Sequence, residues 1–445
     1  MGKYIIKNGK IVNRGTILEG DLLIVDDKIA KIDKVITSEG AKEIDAAGCF
    51  VMPGIIDDQV HFREPGFTHK ANIYSEAKAA VAGGTTTFME MPNTKPAALT
   101  IDLLEEKYEI ARKYSLANYS FFMGASNDNI EEVLKTDGKH ICGVKIFMGS
   151  STGNMLVDNE TTLNNIFSKL PVLIATHCED EETIRNNFKV FSEKYGENIP
   201  MSAHPLIRNV EGCLKSSTLA IDLAKKHNSR LHILHISTKD ELALFDNTIP
   251  LKEKRITSEV CVHHLYFNAS QYDKLGSKIK CNPAIKSIEH QEALLPALLD
   301  NRLDIIATDH APHTMEEKNG LYGNAPSGLP LVQHALNVML SFYHKGLISI
   351  ERIVEKMCHG PAICFQINDR GFLDEGKIAD VVIVDPNASH LVEKNNILYK
   401  CGWSPLEGTT FKGKVLSTFV SGHHVYNNGV FDESKRGQRL TFDRK

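Results

Sequence analysis

The chain has 445 residues, too many for one ordinary domain and enough for a large α/β unit with a smaller companion. Apolar residues make up 42% and charged residues 24%, the balance of a soluble globular protein. The formal net charge is −5 and no long basic run occurs, which gives nucleic acid and anionic membranes no electrostatic footing.

Residues 1–15 are strand-like and interrupted by polar side chains, unlike a signal peptide, and no apolar stretch is long enough to span a bilayer. The nine cysteines are scattered without C-x-x-C pairs, and their odd number argues against a disulfide framework. A reducing cytoplasm is the expected location, with Cys178 a buried structural thiol rather than a nucleophile. Short strands are predicted at 4–6, 21–25 and 29–32, and the same texture returns at 380–384 and 415–425. Neither end makes a stable core alone, so residues 1–52 and 373–445 are expected to pair into one β-sandwich domain around a central unit at 53–372.

In that central unit apolar runs alternate with helical patterns at 102–114, 210–226 and 287–301, the signature of βα repeats. Strands are predicted at 50–56, 85–91, 117–123, 141–148, 171–175, 230–235, 255–260 and 303–307. Eight parallel strands suit a closed (β/α)₈ barrel, whose chemistry gathers at the carboxyl ends. Residues 178–209 are too long for one helix and predict a helix plus an irregular loop. The Gly- and Pro-rich stretch 312–330 predicts a long loop that shapes or covers a pocket.

Five of these runs deliver His61, Lys145, His177, His235 and Asp309 at or near their carboxyl ends, side chains suited to a metal ion. Gln59, His61 and Arg63 share a face if the first strand stays extended. His61 reads equally as a ligand or as a hydrogen-bonded loop residue, and Arg63 as a surface charge or as a grip for a carboxylate. Lys145 lies in an apolar strand, where a buried unpaired ammonium is costly. It either snorkels to the rim or is a neutral amine able to combine with CO₂ as a carbamate. His177 and His235 match imidazoles presented to zinc, whereas His232 faces the other way and reads as structural. Asp309 reads as a metal ligand and proton carrier, or as a helix N-cap. Asn93, after Pro92, reads by itself as a turn residue.

The motifs His61-Phe62-Arg63-Glu64-Pro65-Gly66, Met91-Pro92-Asn93-Thr94, Val144-Lys145-Ile146-Phe147-Met148, Thr176-His177-Cys178-Glu179, His235-Ile236-Ser237-Thr238, Asn282-Pro283 and Ala307-Thr308-Asp309-His310-Ala311-Pro312-His313 resemble, in order, those of dihydroorotases. These are metal-dependent barrels of the amidohydrolase superfamily, and the form with an extra β-domain is the more similar. Gly402-Trp403-Ser404-Pro405 and Phe411-Lys412-Gly413-Lys414-Val415 extend the likeness toward the C-terminus. The resemblance implies reversible cyclisation of N-carbamoyl-L-aspartate to (S)-dihydroorotate in pyrimidine synthesis, by metal-held hydroxide with Asp309 as proton shuttle. It implies one metal on His61, Lys145 and Asp309 and another on Lys145, His177 and His235, with Lys145 carboxylated and bridging. Zinc is the expected ion, with nickel or cobalt also fitting. Arg63, Asn93 and His313 would bind the exocyclic carboxylate, and Asn282 with the Ser327-Gly328 backbone the ring. His264 matches a family motif without an assignable role. A homodimer, and association with aspartate transcarbamoylase, are the partners such a resemblance suggests.

One position departs: the family's first strand carries His-x-His, and here it is Gln59-Val60-His61. An amide oxygen is a poorer zinc ligand than imidazole. Glutamine here ligates weakly, or one ion loses affinity, or water substitutes. The alternatives are another cyclic amidohydrolase, allantoinase or dihydropyrimidinase, and a non-catalytic partner of aspartate transcarbamoylase.

Overall fold

The computed structural model describes residues 2–149 and 155–444. Both chain ends meet in a nine-stranded, largely antiparallel sheet. Lys3–Asn13 and Thr16–Val25 form its leading hairpin. Their two-residue turn, Arg14-Gly15, has positive φ at both positions (50° and 73°), matching the twist of the strands. From the other end, Val381–Leu391 pairs antiparallel with Phe50–Pro53, Val384 opposite Phe50 and Val381 opposite Pro53. Thr410–Val420 continues the sheet beside it.

The sequence reading ran 50–56 together as one strand, and the structure divides it. Phe50–Pro53 belongs to the nine-stranded sheet, whereas Ile55–Val60 pairs with Thr85–Glu90 in the central unit. Pro53 has no N–H to carry a ladder onward. Gly54 passes so close to Thr86 that an added Cβ would lie 2.0 Å from its hydroxyl, so only glycine turns the corner there.

The central strands are all parallel and form two arcs. Ile55–Val60, Thr85–Glu90 and Asn118–Phe121 make one. Met123–Gly124, Val144–Phe147, Ile174–His177, Leu231–Ile233, Ile256–Cys261 and Ile305–Ala307 make the other. The expected closed ladder is therefore interrupted. One break is at Phe122, whose N–H bonds Glu90 while the next residue, Met123, bonds Gly143. The other separates the first and last strands, Ile55–Val60 and Ile305–Ala307, which belong to different arcs. There a side chain replaces the ladder: the Asp57 carboxylate accepts from Thr308 N–H at 3.2 Å and Thr308 Oγ1 at 2.6 Å. Backbone pairing resumes above it, His61 N–H to His310 O at 2.7 Å.

Helices cover the arcs where the periodicity placed them: Ile101–Tyr114, Val210–His227 and Ile288–Leu299. The first two are started by Thr100 and Asn209, whose side chains accept from Leu103 and Gly212 N–H. The last residues do not stay in the β-domain as expected. Gln438 and Leu440 bond Tyr119, and Phe442 bonds Lys139, so the tail lies against the central unit. Among the described residues no helix is long and apolar enough to cross a membrane.

Candidate active site

A cavity of about 620 Å³ opens among the strand ends, and every residue nominated from the sequence as a ligand or substrate contact lines it. Convergence depends on bends as much as on strands. Arg63, His235 and Asp309 have φ of 69°, 44° and 47°, left-handed backbone that non-glycine residues adopt at a cost of about 1 kcal/mol or more each. Arg63 reaches the cavity through that bend, not through continued strand extension.

The metal-binding candidates come together as two pairs around a lysine. His61 Nδ1 donates to Asn93 Oδ1 at 2.8 Å, which leaves the Nε2 lone pair facing Asp309 Oδ1 at 3.1 Å. Burial lowers the His61 pKa, so the ring is neutral and two acceptors confront each other. On the other side Glu179 stays ionised. Burial raises its pKa, but Arg208 at 2.6 Å and the His177 imidazole bring it down to about 2. His177 Nε2 therefore donates to Glu179 at 3.0 Å and turns its Nδ1 lone pair toward His235 Nε2, also 3.0 Å away. Both arrangements suit a cation between the facing atoms.

Lys145 is 1% exposed, and its Nζ has no hydrogen-bond partner among the described residues. Burial pushes its pKa down to about 7, while the Asp309 charge pulls the other way. Its own charge depresses His177 and His235, so it lies within reach of both pairs. This excludes a lysine that snorkels to water. An orphaned, readily neutral amine among four metal-type ligands fits the carbamate alternative.

The opposite wall is cationic. The Arg63 guanidinium, 9% exposed, donates to Pro312 O at 3.0 Å, and it has no carboxylate within ion-pair distance among the described residues. His313 is wedged between Arg63 NH2 at 2.9 Å and Lys70 Nζ at 3.0 Å. Burial and these two cations hold its pKa far below the ordinary value.

A family model, the amidohydrolase family, matches residues 50–425. The chain is 32% identical over 438 residues to the dihydroorotase of Pyrococcus furiosus, covering 98% of this chain and 96% of the relative. It is 32% identical over 429 residues to the dihydroorotase of Bacillus cytotoxicus, covering 95% and 98%. This chain belongs to the amidohydrolase family. Among solved structures, the L-hydantoinase (dihydropyrimidinase) of Arthrobacter aurescens superposes with a TM-score of 0.93 at 28% identity, covering 99% of this chain and all of that one. The dihydropyrimidinase of Brevibacillus agri shares the fold with a TM-score of 0.88.

In this amidohydrolase, sequence reading missed Glu179 and Arg208. The motif Thr176-His177-Cys178-Glu179 could have revealed the first, since it puts a carboxylate two residues after a proposed ligand, just beyond the strand that ends at His177. Arg208 comes from the irregular end of 178–209, where periodicity says nothing. His264 gains a structural role: its Nε2 donates to Pro283 O at 3.1 Å, holding the Asn282-Pro283 segment. The Ser327-Gly328 backbone is less free for a ligand than expected. Gly328 N–H is bonded to Lys280 O at 2.8 Å, and Ser327 O lies 3.0 Å from His313 Nε2.

The loop at 312–330 is anchored by Lys318, wholly buried, whose Nζ donates to Lys280 O, Pro326 O and Gly328 O at 3.2, 2.9 and 2.9 Å. Lys318→Met leaves these carbonyls unpaired at about 1–3 kcal/mol each. A clear fall in melting temperature and a several-fold rise in KM are expected, with metal content unaltered; an unchanged melting curve would refute the anchor.

Gln59 is 2% exposed and lines the cavity, with Cys261 Sγ 3.7 Å from its Oε1. Gln59→His is expected to tighten metal binding beside His61 by about tenfold or more, since imidazole replaces an amide. Competition titration with a chromogenic chelator measures it. Equal affinity would show that position 59 does not face the ion.

Proposed function

We propose that this amidohydrolase is a dihydroorotase, interconverting N-carbamoyl-L-aspartate and dihydroorotate. The observation that carries the reading is the Arg63 guanidinium, turned into the cavity without an ion-pair partner among the described residues, beside neutral His313 and a Lys70 that pairs with Glu317 at 3.0 Å. Dihydroorotate bears a carboxylate outside the ring that such a wall would bind bidentately, whereas dihydrouracil and hydantoin have none. The identities with named dihydroorotases support the same substrate.

We read the two arcs as one (β/α)₈ barrel within residues 54–372, flanked by a β-domain built from 1–53 and the strands between 381 and 431, with the tail at 438–442 against the barrel. His61 and Asp309 on one side, His177 and His235 on the other, and Lys145 as a carbamate between them would hold two divalent ions. The nitrogen-rich donor set favours zinc. When bound, such ions polarise an amide carbonyl and make water nucleophilic near neutral pH. The remaining work falls to the chain. Arg63 and the Asn93 amide hold the exocyclic carboxylate and fix the ring against the histidines. Asn93 Oδ1 also fixes the tautomer of His61, as Glu179 does that of His177. Asp309 takes the proton given up by the attacking water and delivers it to the leaving ring nitrogen as the C–N bond breaks; in the reverse direction it returns the proton.

The test is ultraviolet absorbance of dihydroorotate, run beside dihydrouracil, hydantoin and allantoin. Dihydroorotate is expected to be the best substrate, and Arg63→Met is expected to raise its KM by about 10- to 100-fold, the worth of a lost charge-assisted pair. The likeness to L-hydantoinase favours a second reading, hydrolysis of an uncharged cyclic ureide. Faster turnover of hydantoin or dihydrouracil than of dihydroorotate would select it. No turnover by metal-loaded protein would select a non-catalytic partner role.

A further inference from the structure

We propose a second, structural divalent-cation site inside the ring of strands, formed by Asp58, His232 and Glu259 and separate from the catalytic set. These residues come from Ile55–Val60, Leu231–Ile233 and Ile256–Cys261. The first of these strands is not hydrogen-bonded to either of the others, so Asp58 meets them across the interior. All three are fully buried, and one ligand atom from each lies within 4.8 Å of the others.

Three observations point to an ion. First, Asp58 is 0% exposed, and among the described residues neither of its carboxylate oxygens has a donor at ordinary hydrogen-bond distance; its polar neighbours are His232 Nε2 at 3.4 Å and the Glu259 carboxyl. Second, His232 is aimed. The Thr257 hydroxyl donates to Leu231 O, so its oxygen accepts from His232 Nδ1 at 2.8 Å, and Nε2 is left facing both carboxylates. Third, Nε2 lies 3.4 Å from Asp58 Oδ2 and 3.3 Å from Glu259 Oε2. These separations exceed the ~2.7–2.9 Å of a charge-assisted hydrogen bond. They match the ~3.3–3.4 Å edge of a tetrahedron whose metal–ligand bonds are ~2.0–2.1 Å. Burial, and then the Asp58 charge, hold the Glu259 carboxyl well above the usual carboxylate range, while burial lowers the His232 pKa but Asp58 and Glu259 raise it to about 9. A zinc-class cation would take the place of the protons this buried cluster otherwise keeps. Glu259 Oε1 also accepts from His235 N–H at 2.9 Å, so the ion would brace a strand end of the catalytic cavity.

The test counts metal and is independent of turnover, so it stands or falls separately from the dihydroorotase reading. Purified wild-type chain loaded with zinc is dialysed against a strong chelator, and the residual metal is measured by mass spectrometry. One equivalent per chain is expected to remain until the protein is unfolded in guanidinium, because the site has no exposed ligand. Asp58→Asn and Glu259→Gln are expected to retain none. For folding-independent evidence, a crystal of the chelated wild type should give an anomalous peak at the zinc edge among the three side chains. Complete loss of metal from folded wild type, absence of that peak, or an equivalent retained by both variants would each overturn the proposal.

Discussion

Lys145→Met is expected to lower kcat by about 10³-fold or more and to reduce bound metal, while leaving the melting temperature unchanged or higher. The argument starts from burial. Lys145 is 1% exposed with no hydrogen-bond partner among the described residues, and burial drives its pKa down to about 7. Methionine fills similar space and removes the desolvation cost, so the fold does not depend on the amine. In the proposed site, what disappears is the group that as a carbamate would hold metal between the His61–Asp309 and His177–His235 pairs. Lewis-acid assistance of several kcal/mol would go with it, and about 4 kcal/mol corresponds to the stated loss. The smaller replacement Lys145→Ala adds a diagnostic readout. It leaves room for a free carboxylate, so acetate or propionate at high concentration is expected to restore part of the activity to alanine but not to methionine. Full activity in either variant would remove Lys145 from the site.

The site was more legible than the ring that carries it, for physical reasons. His61, His177, His235 and Asp309 follow apolar runs, and a polar residue ending such a run is visible to local pattern reading. Helix limits were legible too, because Thr100 and Asn209 mark them with caps. What pattern reading lacks is partner identity. It ran Phe50–Pro53 into Ile55–Val60 because both are apolar and buried, although they pair with different sheets. It expected backbone closure where the Asp57 side chain joins Thr308, 251 residues away. It carried Arg63 along an extended strand, whereas a left-handed bend turns it inward. It left Lys145 between two alternatives that only burial could separate. Asp58 and Glu259 drew no notice at all, since a carboxylate in a strand looks like a solvent-facing residue until the strands across the interior are known.

Asp309→Asn is the second large expected effect, a fall in kcat of about 10²–10⁴-fold with KM for dihydroorotate changed little. The substitution isolates proton transfer from shape. Asp309 sits at φ 47°, and asparagine tolerates that left-handed backbone as well as aspartate does, whereas alanine would add strain. The amide can still meet His61 Nε2, now as a true donor across the 3.1 Å gap, so local geometry is kept. In the proposed site the substrate carboxylate is held by Arg63, whose guanidinium feels the Asp309 charge without an ion pair to it among the described residues. An amide cannot take up a proton, so the low rate is expected to persist at saturating metal and substrate. Metal content by mass spectrometry separates a lost base from a merely weakened metal site. Asp309→Asn with kcat within tenfold of wild type at full metal content would assign the proton to another group.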